Sequence, residues 1–341
     1  MLRCLSIKIM SPRGVSMRSV LLSTAVAVAA TIAQSVAQAQ DIKLGHVLAP
    51  THSWNIAAEG FAKDVFEATE GRVNFQVFPS GQLGNEKTMV EGMQIGSVPA
   101  GVIGCGSFQP LDARFGIVEL PYSWPDREHA YAAYDGKLGD SLEAIADQYN
   151  LKILSWWENG FRHVTNNRGP INAPEDLAGL KIRVTPDKMR LDTFTALGSS
   201  PAPLAFGELY SALQQGVFDA QENPLSIIYS SSFNEVQDYV SLTGHVWAPA
   251  CLTISSFTWN QLSEEDQAAV QKSADEWRDK QREMTQKDDA ELVAKLEAAG
   301  MQVNEVDTAP FNAKVQSVWA EYADRFGPEL MGLVEHYRKG E

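Results

Sequence analysis

A chain of 341 residues with 43 acidic side chains against 28 Lys and Arg, for a formal net charge of −15, suits neither nucleic acid nor an anionic membrane as partner. The three cysteines and six histidines fall in no CxxC or clustered spacing, so no metal site is expected and no cofactor is called for. Acidity of this degree is also common in solvated secreted proteins and names no ligand.

The first forty residues read as a leader. Arg3, Lys8, Arg13 and Arg18 come without an acidic residue, an apolar run follows from Val20 to Ile32, and Ala37-Gln38-Ala39 offers a small-x-small cleavage pattern. The run is shorter than the roughly 20 residues a membrane span needs. No Cys stands just after the leader, so no lipoprotein anchor is expected. Cleavage near Ala39 would place the mature chain, more acidic still, in the periplasm. About 300 residues then remain, more than one core usually holds, which points to two lobes. Cys4 leaves with the leader. Cys105 and Cys251 remain, and in an oxidising compartment they form either a bridge or two buried free thiols. The histidines His46, His52, His129, His163, His245 and His336 are scattered. His46 and His52 lie six apart in a Pro-containing loop and share no helical face.

Alternation from Ile42 to Val47 predicts a half-buried strand. Ile56, Ala57, Phe61, Val65, Phe66 and Ala68 recur at helical spacing over Trp54 to Thr69, and Gly71 stops that helix. Val73 to Val77 predicts a second strand, Asn85 to Ile95 a helix, and Val98 to Ile103 a third strand ending in a Gly-rich run. Strand–helix alternation of this kind predicts an α/β lobe with a largely parallel sheet. Leu151 to Ser155 and Phe161 to Thr165 read as two strands and Leu180 to Val184 as another. Asp187 to Leu197 and Phe206 to Gln215 read as helices. Ala250 to Ser256 is an apolar strand assigned back to the first lobe. Ser263-Glu264-Glu265-Asp266 resembles a capping box, and helix formers run from it to about Ala299, with a break near Asp288 to be considered at that length. Met301 to Val306 then reads as a strand and Pro310 to Gly327 as a helix. The lobes so drawn are 40–159 with 249–288, and 160–248 with 289–341, without a linker sequence between them.

Enzyme signatures are missing. The chain has no GxSxG, GxxxxGK[ST] or HExxH, and no GxGxxG between a strand and a helix. Glu158 and Glu222 can be imagined as paired acids, against the plainer reading of surface carboxylates. Three segments suit recognition instead. Arg162 sits just past Gly160 at a lobe junction. Arg183 interrupts a buried-looking strand, with Leu180, Ile182 and Val184 on the opposite face, so it either pairs with a protein carboxylate or awaits one from a ligand. Alternation alone favours the internal pair. A guanidinium fork suits a ligand carboxylate through two parallel hydrogen bonds. Asn223, before Pro224, offers an amide that both donates and accepts.

Taken with Phe78-Pro79-Ser80-Gly81-Gln82-Leu83-Gly84, Glu119-Leu120-Pro121-Tyr122, Gly160-Phe161-Arg162, Pro174 to Val184, Pro203 to Tyr210 and Asp219 to Pro224, the chain resembles the extracytoplasmic solute receptors of tripartite ATP-independent periplasmic (TRAP) transporters, the DctP-type family. The resemblance covers nearly the whole mature chain. It implies an α/β, two-lobed periplasmic-binding-protein fold, with a ligand cleft, hinge strands and a long helix spanning both lobes. It places the family's chief carboxylate-binding arginine on Arg183 and a second on Arg162. The ligand-contacting Asn falls on Asn223 and the packing aromatic on Phe206. Glu86 stands where such receptors carry an acidic residue near the cleft, and also suits a helix first turn. His46, Asn159 and Trp247 are expected either to line the cleft or to serve as packing and hinge residues. Sialic-acid receptors of the family carry a Glu where this chain has Gly104, so sialic acid is disfavoured. The implied function is binding, not catalysis: capture of a small organic acid, with a uronate or aldonate favoured over an organosulfonate or a keto or dicarboxylic acid. Delivery to membrane permease subunits of the DctQ/DctM type is implied, a sensor being the alternative recipient.

Overall fold

The computed structural model describes residues 39–340, and the segment read from the sequence as a leader lies, but for Ala39, outside the described residues. β1 (Gln40–Gly45), α1 (Ser53–Ala68), β2 (Val73–Phe78), α2 (Glu86–Gln94) and β3 (Ala100–Gly104) follow the alternation the sequence predicts. α1 buries Trp54, Ala57, Ala58, Phe61 and Val65 on one face. Gly71, at φ 80°, ends it, its N–H donating to the Phe66 carbonyl. After β3 the chain forms 3-10 turns at Cys105–Phe108 and Ala113–Glu119, then α3 (Arg127–Tyr134) and α4 (Lys137–Asp147), which periodicity left unassigned.

The two strands predicted after residue 150 are one, β4 (Leu151–Asn166). Glu158-Asn159-Gly160 interrupts the β-forming composition, but irregular pairing absorbs it. Register shifts fall at Ile153/Ser155 and Glu158/Gly160, with Gly160 at φ 115°. β5 (Lys181–Val184), α5 (Lys188–Ala196), β6 (Ser200–Pro203), α6 (Leu209–Gln214), β7 (Ala220–Pro224) and α7 (Leu225–Ser230) come next. The helix predicted from Phe206 opens as a separate 3-10 turn, Phe206–Glu208. β8 (Tyr239–Leu242), β9 (Trp247–Ser255) and α8 (Ser256–Trp259) lead to α9 (Glu264–Ala298). Ser263 caps α9 by accepting from the Asp266 N–H. The helix runs 35 residues without the break considered near Asp288, a length of about 50 Å. β10 (Gln302–Glu305), α10 (Ala309–Lys314) and α11 (Gln316–Arg338) close the chain. The stop predicted at Gly327 is a kink, where Gly327 takes φ 80° and Pro328 starts the helix again.

The strand order is β2-β1-β3-β9-β4-β7-β5-β6, with β8 on β4 and β10 on β8. The first half of β4 pairs with β9, and its second half, from Arg162, pairs with β7 and β8. One strand therefore passes from one half of the sheet to the other. Pairing is parallel within each half and antiparallel wherever β4 or β9 takes part. α9 packs on α1 and β4 and reaches α7 and β10, so it touches both halves.

Cys105 and Cys251 are joined, which settles the choice between bridge and free thiols. Both are fully buried, and the bond closes a sequence separation of 146 residues. Removing it by Cys105→Ser with Cys251→Ser is expected to cost about 2–4 kcal/mol of unfolding free energy. Urea denaturation of the two proteins checks this, and coincident curves would refute it.

Candidate functional site

Four arginines among the described residues are buried: Arg162, Arg183, Arg190 and Arg282. Burial of a guanidinium is costly unless it is paired, so their partners are informative. Arg282, on α9, forks onto Asp135. Arg162, on the second half of β4, donates from Nε to Glu222 Oε2 at 2.6 Å. Its Nη2 reaches Glu222 Oε1 and Asn223 Oδ1, each at 2.9 Å. Arg190, in the first turn of α5, donates from Nη1 to both Glu222 oxygens at 3.0 and 2.9 Å and from Nη2 to Glu119. His245 Nε2 lies 3.0 Å from the same Glu222 carboxylate. Burial alone would raise the Glu222 pKa, but Arg162 and Arg190 hold it well below the usual carboxylate range.

Arg183 differs from the other three. It is 1% exposed yet has no carboxylate within ion-pair distance among the described residues. Its Nε and Nη2 donate to the Leu204 carbonyl at 2.9 and 2.7 Å, while Nη1 is buried with no partner. The Phe206 ring lies 6.0 Å from its guanidinium carbon. Burial, helped by the Arg162 and Arg190 charges, lowers its pKa to about 10, so it remains cationic at neutral pH.

Two adjoining cavities surround these groups and share Glu86, Ser107, Pro186 and Phe206. Their walls come from both halves of the sheet. Trp54, Glu86 and Gly104 stand on one side, and Arg183, Pro186 and Asn223 on the other. Glu86 opens α2, and its carboxylate accepts from Gly104 N–H at 2.8 Å and Ser107 Oγ at 3.3 Å. Burial raises its pKa. Asn159, at the irregular step in β4, lines the cavity with Oδ1 buried and unpartnered. The site therefore holds an unmatched donor on a cation and an unmatched acceptor on an amide.

Of the residues picked from sequence, the structure brings Arg183, Arg162, Asn223, Phe206, Glu86 and Asn159 to this cleft. His46 and Trp247 are not among its lining residues. The His46 ring is held by Asn55 Oδ1 at 3.2 Å and by the Leu48 N–H, and burial lowers its pKa to about 4. Trp247 stacks on Tyr134 at 5.6 Å and donates to Glu158 Oε1 at 3.1 Å. Both hold the framework behind the cleft. Glu158 and Glu222 are neither surface groups nor a facing pair, since each is buried in its own ionic cluster. Arg190, Asp187 and Glu119 line the cleft and were not picked as site residues from the sequence, although Glu119 opens one of the resemblance motifs. For Asp187 and Arg190 the signal was Thr185-Pro186-Asp187, a turn leaving the carboxyl end of β5, where α/β sheets bind ligands, with Arg190 three residues on.

Known proteins share this fold. Residues 44–325 match the family model described as bacterial extracellular solute-binding protein, family 7 (DctP). The chain is 35% identical over 287 residues to the 2,3-diketo-L-gulonate-binding periplasmic protein of Escherichia coli (strain K12), spanning 84% of this chain and 88% of that relative. A crystal structure of a TRAP periplasmic solute binding protein from Polaromonas, bound to D-erythronate, is similar with a TM-score of 0.84 at 37% identity, over 86% of this chain and 98% of the other. Another from Roseobacter denitrificans, with bound L-galactonate, has a TM-score of 0.81 at 35% identity, over 87% and 98%.

Proposed function

The chain belongs to family 7 of the bacterial extracellular solute-binding proteins, and we propose that it captures a sugar acid, an aldonate or uronate, between two closing lobes. The observation that carries this is the pair of unmatched groups in one cleft, Arg183 Nη1 and Asn159 Oδ1. A carboxylate supplies the acceptor that Arg183 lacks, and a hydroxyl supplies the donor that Asn159 lacks. A simple dicarboxylate or organosulfonate answers only the first. Phe206, half-buried beside Arg183, offers an apolar face to the carbon chain. The relatives bound to D-erythronate and L-galactonate support the same class.

The lobes follow the sheet halves, 40–159 with 249–288 and 160–248 with 289–341, although α11 packs on α3 and α4 as well as α5 and so lies along both. β4, with Gly160 at its irregular step, and α9 are the elements that flex. A ligand touching both walls binds the closed form more tightly and shifts the population toward it. Exclusion of water on closure strengthens the Arg183–carboxylate pair. The recipient is a two-part membrane permease facing the periplasm.

A thermal-shift screen of aldonates, uronates, dicarboxylates and organosulfonates tests the ligand class. A cognate acid at about a hundred times its Kd adds about 2.7 kcal/mol and raises the melting temperature by about 5 °C or more. Shifts from dicarboxylates or sulfonates, with none from any sugar acid, would overturn the assignment.

A further inference from the structure

The ladder between β3 and β9 ends at Gly104 opposite Ala250, and the chain turns at once into Cys105–Phe108. Gly104 at the end of β3 and Gly106 and Ser107 of this turn form part of the cleft wall. The turn is tightly fitted between two carboxylates. A Cβ on Gly104 would stand 3.1 Å from Glu86 Oε1, and one on Gly106 would stand 2.4 Å from Glu119 Oε1. Glu86 has no ion-pair partner among the described residues, and its two oxygens take their hydrogen bonds from Gly104, where the ladder ends, and from Ser107 of this turn. Where the turn sits therefore decides where the Glu86 carboxylate sits. Beyond Gly104 the sheet no longer holds the turn, and the next tie is the bond from Cys105 to Cys251 on β9.

We propose that the Cys105–Cys251 disulfide is a positioning element of the ligand site: it pins the turn Gly104–Ser107 to β9 and so fixes the Glu86 carboxylate across the cleft from Arg183. This rests on the cleft being the sugar-acid site, and it goes beyond the bond's contribution to stability. Both sulfurs are fully buried, so in an oxidising compartment the tie is permanent and the wall is ordered before ligand arrives. Without it, binding must order the turn, which weakens affinity.

The test compares wild type with the Cys105→Ser, Cys251→Ser double variant, well below the variant's melting temperature. Each is titrated calorimetrically with D-galactonate, D-glucuronate and D-erythronate and followed by amide hydrogen exchange. The expected result is a Kd raised by about tenfold or more at unchanged stoichiometry, with faster exchange at Gly104, Gly106 and Ser107. A bond that only stabilises would lower the melting temperature and leave both readouts unchanged, which overturns the proposal. If wild type binds none of the three acids, the reading of the cleft falls, and the exchange comparison still decides whether the bond pins the turn. Should the double variant not fold, wild-type exchange decides: protection of these amides equal to that of β9 supports the pinning, and loop-like exchange refutes it.

Discussion

Arg183→Ala is expected to abolish sugar-acid binding, weakening it by about a thousandfold, while leaving the fold intact. Hydrogen bonds to a charged group contribute about 1.5–3 kcal/mol each, and a guanidinium fork supplies two. The protein itself loses little, since the side chain's hydrogen bonds are the two to the Leu204 carbonyl. Arg183→Lys keeps the charge without the fork and should recover only part of the affinity. Arg183→Met removes a buried cation that no carboxylate compensates, so its ligand-free form should unfold at the same or a higher denaturant concentration than wild type. Calorimetry and urea denaturation together check the series. A folded Arg183→Ala protein with unchanged affinity would remove the guanidinium from the site, and a collapse of ligand-free stability would make it structural.

The largest loss of stability should come from Glu222→Ala. That carboxylate is shared by Arg162, Arg190 and His245, all buried. Without it, Arg162 keeps only the Glu222 carbonyl and Asn223, and Arg190 keeps Glu119 and Asp187. Breaking one member out of such a buried cluster costs about 3–5 kcal/mol, more than loss of the disulfide. The pH dependence gives a second check. Glu222 has a depressed pKa in the fold, so its contribution is complete above its unfolded value, near 4.5, and is lost as pH falls through the folded value. Glu222→Gln should therefore flatten the stability–pH curve on the acid side of 4.5. A slope matching wild type there, or a Glu222→Ala midpoint within error of wild type, would contradict the assignment.

Local pattern revealed many of the elements, though not α3, α4, β6, β7, α7 or β8, and half of the site logic. Alternation placed Arg183 on a buried strand and posed the right choice between an internal and an external carboxylate, but its preference for the internal pair does not describe this geometry. The deciding fact is tertiary. Glu222, a buried carboxylate whose charge acts on Arg183, sits on β7, where antiparallel pairing with β4 hands it to Arg162 and the approach of α5 hands it to Arg190. No spacing along the chain encodes that allocation. The same limit explains Trp247 and His46, which have cleft-like neighbours in sequence but point into ionic and hydrogen-bonded clusters behind it. It also explains β4, whose Glu-Asn-Gly step looks like a break until pairing with β9 carries the strand through. The cysteines were visible as a pair, but their joining depends on β3 and β9 being neighbours, a crossover that brings together residues 146 apart in sequence.

The most direct measurement sets D-galactonate against galactitol on the wild-type protein by titration calorimetry. The two differ at the terminal carbon, where one carries a carboxylate and the other a hydroxyl, so their difference reports the anion alone. Saturable binding of the acid with no detectable heat from the alditol is the predicted outcome. Equal affinity for both would mean that the cleft reads hydroxyls and leaves the Arg183 charge unanswered.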